Sequence, residues 1–155
     1  MSLLHDTRPV EGRRGVITAV IAGNVEELAE IKNITANIAK NKSSYRVMGD
    51  PADRHKSAGW AGTGSFTYHW VTSRWQKMLI DYAKTGIDVY FTMVITNDDP
   101  GSSAGRNSVK LGQCNIDGGD IAMLDIDTDM LEGSCDYTFS EVDNMEAFNA
   151  LFPAA

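Results

Sequence analysis

Apolar residues recur along this chain at two spacings. Val16 to Ile21 is a β-branched run, and the Gly23-Asn24 pair after it has hairpin-turn composition. Val25 to Leu28 reads as a weaker strand. Ile34, Ala36 and Ile38 alternate with Thr35 and Asn37, a period of two that marks a half-buried strand, and Lys40-Asn41-Lys42 ends it with charge. Phe66, Tyr68 and Trp70 alternate with Ser65, Thr67 and His69, giving a strand with one aromatic face. Trp75, Met78, Leu79 and Tyr82 then follow a helical spacing. A Ser73-to-Gln76 capping box, Lys84 and a terminal Gly86 bound that helix at 74–85. Val89 to Ile95 is strongly β, and further strands are expected at 108–116, 121–128 and 135–142, with Gly118-Gly119 as a turn.

These elements predict a mainly β (α+β) domain over 15–155, an antiparallel sandwich or barrel with one flanking helix. Residues 1–14 read as a flexible N-terminal arm, and the segment from Asn144 to Phe152 as a helical turn or two ended by Pro153. Two sheets would share Ile34, Ala36, Ile38, Phe66, Tyr68, Trp70, Val89, Phe91 and Met93, closed by the helix stripe. Residues 46–64 carry Pro51 and four glycines with no periodicity, so they read as a long loop, and loops beyond about 12–15 residues in compact domains usually serve a function.

Composition narrows the function. At 155 residues the chain suits one domain. No apolar run reaches the roughly 18 residues of a membrane span, and no secretory signal is visible, so synthesis in a reducing cytoplasm is expected. Two cysteines, Cys114 and Cys135, make no disulfide framework. Residues 1–96 hold 12 Lys/Arg and 9 Asp/Glu, whereas residues 97–155 hold 2 and 12, so +3 and −10 give the net charge of −7. An acidic second half opposes tight binding of nucleic acid phosphates.

Chemical motifs fall short on inspection. Gly101-Ser-Ser-Ala-Gly105 has the nucleophile-elbow spacing, but a β-like segment follows where a helix is needed. Asp125-Ile-Asp127-Thr-Asp129 begins like a calcium loop, yet Met130 replaces the turn glycine and Asp136 the closing Glu. The glycines of 59–64 lack the lysine of a phosphate loop, and His5, His55 and His69 are scattered. No catalytic, cofactor or metal site is expected, so the chain does not read as an enzyme.

Several pieces in order resemble the tail tube (tail core) proteins of contractile-tailed phages, of the PBSX-like type. They are the strand ending in Lys40-Asn41-Lys42, Met48-Gly49, His55-Lys56, Gly59, Gly62-Thr63-Gly64, the helix with Asp81-Tyr82, Tyr90-Phe91-Thr92, Leu124-Asp125-Ile126-Asp127 and Tyr137-Thr138-Phe139. The resemblance covers roughly 20–145. It implies hexameric rings stacked into a hollow tube in a phage tail or prophage-encoded tail particle. It also implies sheath, tape-measure and baseplate proteins as partners, with DNA passing through without specific binding and no membrane involved.

Two surfaces are then expected. Residues 40–56 carry five cations against Asp50 and Asp53, a local +3 that suits a basic arm reaching a neighbouring subunit. Its contact residues would be Tyr45, Arg46, Met48, Gly49, Arg54, His55, Lys56, Gly59, Trp60 and Gly62. A lumen-facing surface would combine Asn33, Thr35 and Asn37 with Asp125 and Asp127, while Leu124 and Ile126 point inward. The competing reading is a small β-domain that binds a small molecule or carbohydrate at the aromatic face, with 46–64 as a lid.

Overall fold

The structure is a computed structural model that describes residues 12–148. The N-terminal arm and the end of the C-terminal tail therefore lie largely outside the described residues. Eight antiparallel strands and one α-helix make up the fold: β1 (Gly15–Ile21), β2 (Asn24–Glu27), β3 (Ile31–Tyr45), β4 (Arg54–His69), α1 (Arg74–Thr85), β5 (Phe91–Asp98), β6 (Arg106–Gly119), β7 (Glu132–Phe139) and β8 (Glu141–Glu146). Their order is β2-β1-β5-β6-β7-β4-β3, and β8 also pairs with β6.

β6 joins the two halves. Its first part pairs with β5 and β8, and its last residues, Asn115 to Gly119, pair with β7. Between them lies a bulge at Gln113, whose φ of 54° is left-handed and bends the strand. Alternation then turns one face of each half inward. Phe66, Tyr68, Phe91, Met93, Leu111, Cys114, Cys135, Tyr137 and Phe139 are all buried. Burial pushes the Cys135 thiol up to about 11 and the Cys114 thiol to about 12, so both stay neutral core groups.

The helix is where the spacing placed it, but its caps differ in part. Ser73 makes no side-chain cap bond; the Arg74 amide instead donates to Thr72 Oγ1 at 3.3 Å. At the other end Gly86 takes the left-handed conformation, φ 71°, and its amide donates to the Tyr82 carbonyl. Trp75 is wholly buried, with its ring centroid 4.8 Å from Phe66 and 6.0 Å from Phe91. Arg74 fixes the helix start by pairing with Glu26 at 2.8 Å and Glu30 at 3.2 Å.

Several expectations need correction. The segment 46–64 is no long loop: residues 54–64 extend β4, leaving a turn over 46–53. No strand forms over 121–128, which lies in the loop from Asp120 to Leu131. Leu124 and Ile126 are 97% and 100% exposed there, so neither points into a core. Val89 and Tyr82 are also exposed, because β5 begins only at Phe91 and Tyr82 lies near the helix end. Ala36 and Ile38 lie on the stretch of β3 that runs past the core, and both are exposed. Asn144 to Glu146 belong to strand β8, paired with β6, and not to a helical turn.

Trp75→Ala should cost about 3–5 kcal/mol, the range for emptying a large buried aromatic site. Urea denaturation measures it; an unchanged midpoint would contradict this placement of the helix.

Candidate assembly interface

β3 and β4 pair from Ile31↔Tyr68 out to Tyr45↔Arg54. Only the inner part also pairs with β7, from Gly62↔Phe139 to His69↔Glu132. Beyond Gly62 the two strands leave the sheet as a hairpin arm that is exposed on both faces. A lone hairpin is marginal in water, so the arm needs an anchor and a partner.

The anchor lies at its base. Tyr137 reaches under β4 at Gly64 and donates its hydroxyl to the Thr35 carbonyl of β3 at 2.7 Å. Gly64 has to be glycine, since a Cβ there would overlap the Tyr137 ring and the Thr35 carbonyl. Gly62 does the same for Phe139, whose ring would lie 2.5 Å from an added Cβ. Gly62 therefore serves packing within the chain, and is no exposed contact point. Phe139 also meets Trp60, with centroids 6.2 Å apart, at the start of the arm.

At the far end the turn is locked by charge. Arg54 pairs with Asp50, Arg46 with Asp53 at 3.4 Å, and the Ala52 amide donates to Asp50 Oδ1. Gly49 supplies a φ of 86° for the turn, and Gly59, φ 97°, sits at the bulge between Lys40 and Lys42. Both tip arginines are thus neutralised. The positive balance of the arm rests on Lys40, Lys42 and Lys56, which have no carboxylate partner among the described residues. Tyr45, Met48, His55 and Trp60 are exposed along it.

The outward face of β3, β4 and β7 is a polar grid. Asn33 stands beside Thr67 and Ser134, Thr35 beside Ser65 and Asp136, and Asn37 beside Thr63, Thr138 and, on β6, Asn115. Thr35 Oγ1 lies 3.4 Å from Ser65 Oγ, and Thr138 Oγ1 donates to Asp117 Oδ1 at 3.3 Å. Lys32, at the margin of the grid, is paired with Glu132 at 2.9 Å. Asn33, Thr35 and Asn37 therefore come together as the sequence suggested. Asp125 and Asp127 do not join them, because they sit in the 120–131 loop; the carboxylates on this face are Asp136 and, at Thr138, Asp117. The signal for Asp136 was available, since Ser134, Asp136 and Thr138 alternate with Cys135, Tyr137 and Phe139.

The other candidate sites have local explanations. Asp125 accepts from the Asp127 amide at 3.0 Å and from Thr128 Oγ1 at 2.7 Å, which hold its carboxyl below the usual range. The 101–105 motif is a turn before β6, with the Gly101 amide donating to Asp99 Oδ1 at 2.9 Å. The Phe66–Tyr68 face is filled by its own neighbours, with Phe66 against Trp75 and Tyr137, so these two rings are core and not a ligand surface.

The described residues thus form an antiparallel β domain with one helix, an anchored hairpin arm and a polar sheet face. The chain belongs to the phage tail tube protein family, whose description matches residues 4–146. It is 40% identical over 127 residues to the phage-like element PBSX protein XkdM of Bacillus subtilis (strain 168), covering 82% of this chain and 86% of that one. The fold matches a chain of the sixfold-symmetrised anti-feeding prophage baseplate with a TM-score of 0.67 at 11% identity, over 88% of this chain and 95% of that one. It also matches a chain of an extracellular contractile injection system, the PVC sheath–tube complex in its extended state. There the TM-score is 0.64 at 10% identity, over 90% of this chain and 92% of that one.

Tyr137→Phe should cost about 1 kcal/mol for the lost hydrogen bond. Gly64→Ala should cost more, roughly 1–3 kcal/mol, because the ring and the Thr35 carbonyl must move. Chemical denaturation of both variants gives the order; a neutral Gly64→Ala would contradict the close approach.

Proposed function

We propose that this tail tube protein forms six-membered rings that stack into the inner tube of a contractile tail, a conduit for DNA and not an enzyme. The observation that carries the reading is the hairpin arm, a two-stranded element that packs on no core among the described residues. An arm that leaves one end of a subunit makes a heterologous contact, which closes into rings or propagates into tubes. The sixfold-symmetrised baseplate and the sheath–tube complex, each with a chain of this fold, support a ring and tube reading. The sheath, tape-measure and baseplate proteins of such a particle are the partners that this reading assigns.

The polar grid faces the bore. Amide and hydroxyl groups keep the wall wet, and Asp136 repels phosphate. Salt screens that repulsion beyond about 8 Å, so it acts on DNA close to the wall. The arm, through Tyr45, Arg46, Met48, Gly49, Arg54, His55, Lys56, Gly59 and Trp60, lies on the next subunit or ring. Its two strands pair with each other along most of their length.

Replacing Asn41–Gly59 with an Asn-Gly turn joins the paired residues Lys40 and Trp60 and should leave the domain folded. The wild-type chain should sediment as rings and tubes that electron microscopy resolves, and the shortened chain as a folded monomer. Normal tubes from the shortened chain would overturn the role of the arm.

A further inference from the structure

The β6–β7 loop, residues 120–131, has the surface of a docking element. It carries Asp120, Asp125, Asp127 and Asp129 and no Lys or Arg. Its apolar side chains face water: Leu124 is 97% and Ile126 100% exposed, and Ile121 and Met130 are more than half exposed. Fully exposed large aliphatic residues side by side mark an interaction surface better than an isolated one would.

The complementary surface is on the arm. Ile38, Lys40 and Lys42 share one face of β3, and Trp60 pairs with Lys40 on that face. Ile38, Lys40 and Trp60 border, with Gly59 and Val142, an open groove of about 690 Å³ to which Glu141 contributes the one carboxylate; Lys42 follows on the same face of β3, beyond the lining. Ile38, Trp60 and Val142 are all exposed at 40% or more. The groove therefore offers an apolar floor beside ammonium groups, against a loop of aliphatic side chains and carboxylates, and neither set makes an ion pair among the described residues.

The two surfaces cannot meet within one chain. The loop precedes Glu132, which pairs with His69, whereas the arm leaves the sheet beyond Gly62 at the other end of the same register. Gly62 to His69 spans roughly 23 Å at about 3.3 Å per residue, and the arm extends further away. Opposite placement of complementary surfaces is the geometry of a head-to-tail contact between copies.

We propose that the 120–131 loop of one copy seats Leu124 and Ile126 in the Ile38–Trp60–Val142 groove of the next, with Asp125 and Asp127 against Lys40 and Lys42. The occupant of the groove is a second copy of this chain. The proposal rests on the tube reading and specifies one of its contacts. The turn bonds within the loop leave Asp125 able to accept a lysine, since a carboxylate has about four acceptor sites.

The test is tube assembly of the full chain with the charges exchanged. Asp125→Lys with Asp127→Lys, and separately Lys40→Glu with Lys42→Glu, should each raise the concentration needed for assembly by about tenfold or more. The chain carrying all four changes should return toward wild type. A second readout is independent of that balance: Ile126→Cys and Ile38→Cys chains, mixed and oxidised, should cross-link, because the native Cys114 and Cys135 are buried. Wild-type tubes together with charge-reversed variants that assemble equally well, or with no cross-link, would overturn the docking alone. A wild-type chain that stays monomeric at every concentration would overturn the tube reading and the docking with it.

Discussion

Tyr137 crosses beneath Gly64 and gives its hydroxyl to the Thr35 carbonyl, 2.7 Å away. That contact ties three strands together at the line where the packed domain ends and the bare hairpin begins. Glycine at 64 and 62 lets the Tyr137 and Phe139 rings approach the β4 backbone closely, so the sheet continues outward without a bulky side chain to lift it. Inward, the same rings complete the aromatic core around Phe66 and Trp75. Without this anchor the arm would be a lone hairpin, which is marginal in water.

The alternation of β3, β4 and β7 sets the second property of the molecule. One face is committed to the core, so the other is free to be uniformly polar. That face holds asparagine, serine and threonine with Asp136, and its nearest cation, Lys32, is tied to Glu132. The cations of the arm are disposed differently: the tip arginines are paired with aspartates, Lys40 and Lys42 face away from the grid, and Lys56, opposite Ser43, lies further out along the arm on the grid side.

Much of this was legible in the sequence where one element dictated its own form. The helix followed from Trp75, Met78 and Gly86, and the Phe66–Tyr68 strand from strict alternation. The arm was legible as a basic, glycine-marked segment but not as a hairpin. Residues 54–61 have neither an apolar face nor a core to face, and only pairing with β3 makes them a strand. The opposite error occurred at 121–128. Leu124, Asp125, Ile126 and Asp127 alternate like a strand, but no neighbouring strand pairs with them, and Asp125 closes a turn with its own loop instead. Alternation records which side chains could share a face; whether a ladder forms is decided by partners distant in sequence.

The central claim is that the polar face of β3, β4 and β7 becomes the wall of a tube, with the arm reaching a neighbour. A cryo-electron microscopy map of the assembled tube, at a resolution that shows side chains, tests it directly. The account predicts a bore lined by Asn33, Thr35, Asn37, Ser65, Thr63 and Asp136, with Tyr45 and Met48 on an adjacent subunit. A bore lined by Lys40 and Lys42, or an arm folded back on its own domain, would contradict it.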